Sequence, residues 1–141
     1  MRMSAIGNVI VETATPTVRV MRFERSDVSP YLYDDAEIVY SPLYREIFGV
    51  ALRDLPKEST LIVNLKQLKP FGAAFYRCLL QIRHFLRSRN SRLVLCNLSP
   101  EHRELFELFA AFRIFTVVRT ELDAIRNAVE AEEESYSLVS S

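Results

Sequence analysis

The chain is poor in the residues that most reaction chemistry needs. Its 141 residues include two histidines, two cysteines, three glycines and no tryptophan. It has no GxGxxG, P-loop, HExxH or GxSxG pattern, and no paired metal-ligand cluster. His84 and His102 each fall on the polar side of a predicted helix, which is typical of solvated surface histidines. We therefore expect no enzymatic activity, no metal site and no cofactor.

The chain also lacks a charge imbalance and any long apolar run. Eighteen Lys and Arg residues are balanced by eighteen Asp and Glu residues, so nothing global attracts the chain to nucleic acid or to an anionic membrane. Its apolar runs are far shorter than the roughly 18 residues of a spanning helix, and its N-terminus is not a secretory signal. Cys78 and Cys96 form no CxxC pair and fit buried thiols in a reducing compartment. We predict a cytoplasmic protein.

The N-terminal part of the chain predicts a β-hairpin. Residues 6–13 and 17–23 are β-rich, and a short turn with a proline separates them. On the second strand we expect the two valines and Phe23 to share one face. Arg22 is expected on the opposite face or at the strand end.

Helices and strands alternate in the rest of the chain, which indicates a parallel sheet. The predicted strands cover residues 61–65, 92–97 and 114–118. Four helices alternate with them: the first runs from Ser41 and Pro42 to Leu55, and the second has the apolar stripe Phe75, Leu79, Ile82 and Leu86. The third begins at Ser99 and Pro100 and buries Leu105, Leu108, Phe109 and Phe112, and the last has Leu122, Ile125 and Val129 on its apolar face. We predict an α/β fold with a mixed, mainly parallel sheet of about five strands, flanked by about four helices. One domain is expected over residues 1–131, and the last helix is expected to fray into an acidic, Ser-rich tail over residues 132–141.

Two further features leave alternatives open. The tyrosines in and just after the connection 26–40 either cover the sheet edge or act as interface anchors. The arginines on and after the helix that follows residue 72 favour a solvated helix face, with a patch for an acidic protein surface as the alternative. These arginines are Arg77, Arg83, Arg87, Arg89 and Arg92.

Several segments of the second half resemble one known family. They are Leu61 to Leu65, Gly72-Ala73-Ala74-Phe75, Arg92 to Pro100, Leu105 to Phe109, Phe115 to Val118 and Asp123-Ala124. Together they resemble the STAS domain, the fold of bacterial anti-sigma factor antagonists. The resemblance implies a STAS-like sheet and a role in signalling and transcription regulation through protein–protein interaction.

The resemblance also implies a site, and the chain departs from it. In that family a partner, often a serine kinase, docks on the turn at a helix start and phosphorylates a turn serine, which breaks the complex. By resemblance the phospho-acceptor falls on Ala74, the preceding serine on Ala73, the turn aspartate on Gly72 and the strand-end aspartate on Asn64. None of these residues carries a hydroxyl, so we predict that this phosphorylation switch is absent.

The junction after strand 61–65 is the predicted contact surface. It comprises Lys69, Pro70, Phe71, Gly72, Ala73, Ala74, Tyr76 and Arg77. The Gly-Ala-Ala turn permits close backbone approach, and Phe71 supplies an apolar anchor. The first hypothesis is therefore a regulatory module that binds a protein partner, such as an anti-sigma factor or a related regulator. The alternatives are a small-ligand domain or degenerate enzyme that uses the crevice at the carboxyl ends of the parallel strands, and a structural homo-oligomer, for example a homodimer, formed through the Tyr-rich loop.

Overall fold

A six-stranded sheet organises the protein. The computed structural model describes residues 2–6, 9–23, 47–68 and 73–140. Its strands are β1 (Arg2–Ile6), β2 (Val9–Thr15), β3 (Val18–Phe23), β4 (Thr60–Asn64), β5 (Arg92–Cys96) and β6 (Thr116–Val118). Its α-helices are α1 (Ala73–Arg87), α2 (Pro100–Leu108) and α3 (Glu121–Ser140), and short turns of π-helix and 3₁₀-helix span Ile47–Ala51 and Ala111–Arg113.

The strands lie across the sheet in chain order, from β1 to β6. β1, β2 and β3 pair antiparallel, whereas β3, β4, β5 and β6 pair parallel. The predicted α/β class, the mixed sheet and the N-terminal hairpin are confirmed. The structure adds β1, which the sequence analysis did not separate from the following strand. The Tyr-rich loop 26–40 and the predicted helix start at Ser41 lie outside the described residues.

The hydrophobic core has two parts, one on each face of the sheet. One part packs under α1 and α2, where Leu79, Ile82 and Phe106 are fully buried. The other packs under α3 and includes Ala124 and Ala128. β4 contributes to both, because successive side chains of a strand point to opposite faces, and it is the doubly covered strand that its continuous apolar run predicted.

The predicted faces of β3 are partly wrong. Val18 and Val20 belong to the core under α3, whereas Phe23 belongs to the core under α1. Phe23 is five residues from Val18, an odd separation that places it on the opposite face of a strand. By the same alternation, Arg22 lies on the α3 face with the two valines, and this face carries its contacts.

Helix α2 begins where the sequence predicted, but it buries a different stripe. The Ser99 hydroxyl accepts a hydrogen bond from the His102 backbone N–H at 3.1 Å, and His102 Nδ1 accepts one from the Ser99 N–H at 3.1 Å. This capping box turns the imidazole inward, so His102 is fully buried with Phe106 one turn later. The prediction of a surface His102 is therefore wrong. Leu108, predicted to be buried, is 76% exposed.

Helix α3 also differs from its prediction. Ala124 and Ala128 face the sheet, and Leu122, predicted on the apolar face, is 57% exposed. Small alanines allow the helix axis to approach the strands closely. The backbone stays helical to Ser140, so the predicted fraying after residue 131 is not found. The division between a domain and a tail stays a prediction.

No helix of the described residues combines the length and the apolar character that crossing a membrane requires.

Candidate functional site

The predicted contact surface follows β4 in the chain and includes the start of α1, and β4 ends at the carboxyl edge of the parallel strands. Lys69, Pro70, Phe71 and Gly72 lie outside the described residues. Ala73 and Ala74 form the first turn of α1. The N–H groups of a first helical turn have no acceptor within the helix, and they give this end a partial positive charge.

The structure separates the two remaining residues of that surface. Tyr76 is half-buried, and its ring stacks on Phe109 with centroids 5.0 Å apart and meets the edge of Phe115 at 5.9 Å. Its ring is thus held against α2 and the start of β6. Arg77, the next residue, is exposed. Tyr76 is therefore accessible over only part of its surface, and Arg77 is the more exposed of the two.

The other arginines of this region have different roles. Arg83 is half-buried, and Arg87 and Arg92 are exposed. Arg89 is half-buried, donates a hydrogen bond to the Leu55 carbonyl at 2.8 Å, and lies over the ring of Phe85 at 5.7 Å. Arg89 thus ties the end of α1 to the turn before β4 and is not part of the solvated face that the sequence predicted.

A polar cluster lies where β4 ends and α3 begins. We call Glu12, Arg22, Asn64 and Glu121 the Arg22 cluster. Arg22 Nε donates to Glu121 Oε2 at 2.9 Å, and its terminal nitrogens pair with Glu121 Oε1 and with Glu12. Asn64 Nδ2 donates to Glu121 Oε2 at 2.7 Å, and Asn64 Oδ1 accepts from the Lys66 backbone N–H at 2.9 Å. The cluster joins β2, β3, β4 and the first residue of α3.

The pKa shifts follow from this pairing. Hydrogen bonding to Glu121 raises the pKa of Arg22 above its ordinary value, against the opposing effect of burial, and Glu12 adds to the increase. Burial alone would raise the pKa of Glu121, but the hydrogen bonds from Arg22 and Asn64, with the Arg22 charge, outweigh it and lower that pKa. Both groups are therefore held in their charged forms. Burial, with a smaller effect of the Glu121 charge, raises the pKa of the nearby Cys96 thiol to about 12.

Asn64 fits this cluster in a way that aspartate cannot. Its amide donates to Glu121, and an ionised aspartate has no donor. Two carboxylates at this separation would repel each other and raise one pKa. The resemblance placed a strand-end aspartate here, and the geometry gives the physical reason why this chain has an amide instead.

Sequence reasoning missed the other members of the cluster. Arg22 follows Val20 by two residues and therefore lies on the same face of the strand. This spacing could have indicated a charged side chain at the end of a buried apolar stripe. Glu121 is the first residue of α3, and carboxylates are common at helix starts because they interact favourably with the helix dipole. Its position in the sequence therefore did not indicate a partner. That they meet depends on strand order, since 99 residues separate them.

The small-ligand hypothesis predicted a sizeable pocket with convergent polar groups at this edge. A cleft of about 340 Å³ is present there, lined by Ile10, Arg22, Phe23, Asn64, Lys66 and Gln67. Two of its four polar side chains, Arg22 and Asn64, are hydrogen-bonded within the Arg22 cluster. A larger cleft of about 560 Å³ lies at the opposite, amino edge. This arrangement disfavours a ligand site at the carboxyl edge.

The remaining candidates for a reactive role are the two cysteines, His84 and a metal site. Cys78 and Cys96 are buried and free, as predicted, and burial raises the pKa of the Cys78 thiol to about 12. Such a thiol is protonated at neutral pH and is a poor nucleophile. His84 is exposed, as predicted. Within the described ranges, no three His, Cys, Asp or Glu residues are grouped to hold a metal ion.

Comparisons with known proteins agree with this fold. The family model of the STAS domain matches residues 7–124. Among solved structures, the chain is similar to an anti-sigma-factor antagonist (STAS) domain protein from Planctomyces limnophilus, with a TM-score of 0.66 and 16% sequence identity over 87% of this chain and 99% of that chain. At this identity the likeness shows the fold alone. A search of curated proteins found no match.

Proposed function

We propose that this chain, which belongs to the STAS domain family, is a regulatory module that binds a protein partner at its β4–α1 junction without a phosphorylation switch there. The partner that we propose is an anti-sigma factor or a related regulator in the bacterial cytoplasm. The name of the similar Planctomyces limnophilus protein, an anti-sigma-factor antagonist, supports this class of role.

The observation that carries the proposal is the chemistry of the helix start. Ala73 and Ala74 occupy the first turn of α1, where a phosphate would meet free N–H donors and the positive end of the helix dipole. Neither has a hydroxyl, and the sequence contains no serine or threonine between Thr60 and Ser88. The surface keeps the position of a regulated docking site but has no group there that a serine kinase could modify.

The contacts of the residues just before the junction support a preformed docking surface. Asn64 and Glu121 hold the end of β4 against the start of α3, and the Leu68 N–H donates to the Leu65 carbonyl at 3.1 Å. A surface whose base is fixed before binding loses less conformational entropy when a partner docks. Arg77 beside it supplies an exposed cation of the type that is enriched in interfaces.

The test is affinity capture with the tagged chain from cells that express it naturally, followed by identification of the captured proteins. We expect a sigma-factor regulator to be recovered. Ala74→Asp places a charge at the helix start, as a phosphate would, and should reduce capture about tenfold or more, since a docked partner would have to desolvate this new charge at a packed interface. Ala74→Ser should retain capture until it is phosphorylated.

Asn127→Asp is the matched control, because it adds the same charge to an exposed position of α3 on the other face of the sheet. It should leave capture unchanged. Recovery of no regulator would contradict the proposal, and so would full binding by the Ala74→Asp chain.

A further inference from the structure

Charge is distributed very unevenly along this formally neutral chain. From Lys66 to Pro100 there are seven Lys and Arg residues and no Asp or Glu. Helix α3 has the opposite character, with six carboxylates and one arginine. A neutral chain with one basic and one acidic surface has complementary potentials, which steer and orient association.

The basic region contains a cleft at the C-terminal end of α1. Its volume is about 460 Å³, and we call it the arginine cleft; it is lined by Arg83, Arg87, Asn90, Ser91, Arg92, Leu93, Ile114, Phe115 and Thr116. Arg83 and Arg87 are one helical turn apart on α1, and Arg92 begins β5. Within the described part of the chain, no carboxylate lines the cleft and none of these three arginines forms an ion pair.

One exposed apolar side chain lines this cleft, and a second precedes it by two residues in the chain. Ile114, which lines it, and Phe112, two residues earlier, are each 38% exposed. Arginine and aromatic residues together are the composition that is enriched in protein–protein interfaces. A free anion would use the arginines alone, whereas a protein segment with carboxylates would cover both parts.

The end of α3 carries the matching charge. The Thr17 hydroxyl donates to the Glu132 carboxylate, which fixes α3 at the amino end of β3. Eight more helical residues follow, and they extend the helix by about 12 Å. Glu130, Glu133 and Glu134 are exposed, and at these spacings they lie on one side of the helix and repel one another. Cations placed opposite them would relieve this repulsion.

We propose that two copies of the chain associate, with the acidic end of α3 of each copy in the arginine cleft of the other. Arg83 and Arg87 have the i, i+4 spacing, and so do Glu130 and Glu134. Side chains at this spacing have Cβ atoms about 5–6 Å apart, so the two helices can form two ion pairs side by side.

The position of the two features favours a symmetric dimer. The arginine cleft and the end of α3 both lie at the amino edge of the sheet, near Arg92 and Thr17. A twofold axis between two amino edges forms both contacts at once. This association does not involve the carboxyl edge, where β4 ends, so it does not depend on the proposed function.

The test is sedimentation velocity of the full chain over a range of concentrations, at about 0.05 M and about 0.5 M salt. We expect a monomer–dimer equilibrium that weakens at high salt. The variants are Arg83→Glu/Arg87→Glu and Glu130→Arg/Glu134→Arg. Each should raise the dimer Kd about tenfold or more, because attractive pairs become repulsive at both contacts. An equimolar mixture of the two variants should restore a heterodimer, since every charge then faces its opposite.

Arg103→Glu/Arg119→Glu is the control, because it makes the same charge change at exposed arginines outside both the cleft and α3. It should dimerise like the wild-type chain. Circular dichroism establishes that each variant is folded, and if one is not, Arg83→Gln/Arg87→Gln or Glu130→Gln/Glu134→Gln takes its place with an expected weaker dimer. A wild-type chain that stays monomeric at low salt overturns the proposal. So does a variant that dimerises normally, or a mixture of the reversed pair that stays monomeric.

Discussion

The two edges of the sheet use arginine in opposite ways. At the carboxyl edge, Arg22 pairs with Glu12 and Glu121, and Asn64 donates a hydrogen bond to Glu121. The charge of Arg22 is therefore neutralised within the protein. At the amino edge, Arg83 and Arg87 line an open cleft in which none of the described lining residues is a carboxylate. The first arrangement fixes strands and helix relative to one another. The second contributes little to folding and leaves charge available for a partner.

The largest expected effect is the loss of stability when Arg22, at the carboxyl edge, is replaced. Arg22→Ala leaves two carboxylates without their cation in a site where the Arg22 and Glu121 side chains are only 30% and 20% exposed. We expect the free energy of unfolding to fall by about 2–3 kcal/mol, measured by urea denaturation. Arg87→Ala at the amino edge is the matched control and should cost under about 0.5 kcal/mol. Equal losses in the two variants would show that the edges do not differ.

A smaller loss of stability is expected for Asn64→Asp, which tests the carboxyl edge by replacing only the side-chain amide with a carboxylate of the same shape. The new carboxylate cannot donate to Glu121 and lies at hydrogen-bond distance from it, so we expect a loss of about 1–2 kcal/mol at pH 7. Repulsion raises the pKa of this carboxyl in the folded state above its unfolded value. The deficit should therefore shrink as the pH falls and the group becomes protonated.

Urea denaturation of Asn64→Asp and of the wild-type chain at pH 7 and pH 5 measures this difference. Asn127→Asp, on the exposed surface of α3, should show no such deficit. A deficit that stays constant or grows toward pH 5 would contradict the carboxylate repulsion.

The smallest effect is expected for helix capping. Ser99→Ala removes the hydroxyl that accepts the His102 N–H at the start of α2, and it should cost about 1 kcal/mol. Ser88→Ala removes an exposed hydroxyl that donates to the Phe85 carbonyl at the amino edge, and it should cost less than about 0.5 kcal/mol. Thermal unfolding of the pair provides the measurement. A greater loss for Ser88→Ala would reverse the ranking.

The sequence predicted best where a pattern is local. The apolar run at 61–65 gave β4, the spacing of Leu79, Ile82 and Leu86 gave the buried face of α1, and Ser99 before a proline gave the start of α2. Each of these signals is contained within a few residues of the element that it specifies.

Prediction was weaker where a side chain had two readings. His102 follows a cap and is polar, yet its hydrogen bond to the Ser99 backbone allowed it to be buried. Leu108 looked like a core residue, but the buried stripe of α2 runs through His102 and Phe106 instead. Which face of a helix is buried depends on the surface beneath it. That surface is formed by residues outside α2, so the sequence of α2 alone does not specify it.

Within this chain, the sequence alone determined the alternation of strands and helices, the family resemblance and the absence of serine and threonine from 61 to 87. These properties follow from local spacing and from composition. Only the tertiary structure decided that Arg22 meets Glu121 and that the arginine cleft and the end of α3 share the amino edge. Electrostatic pairing depends on distance in space, and strand order sets that distance between residues that are far apart in the chain.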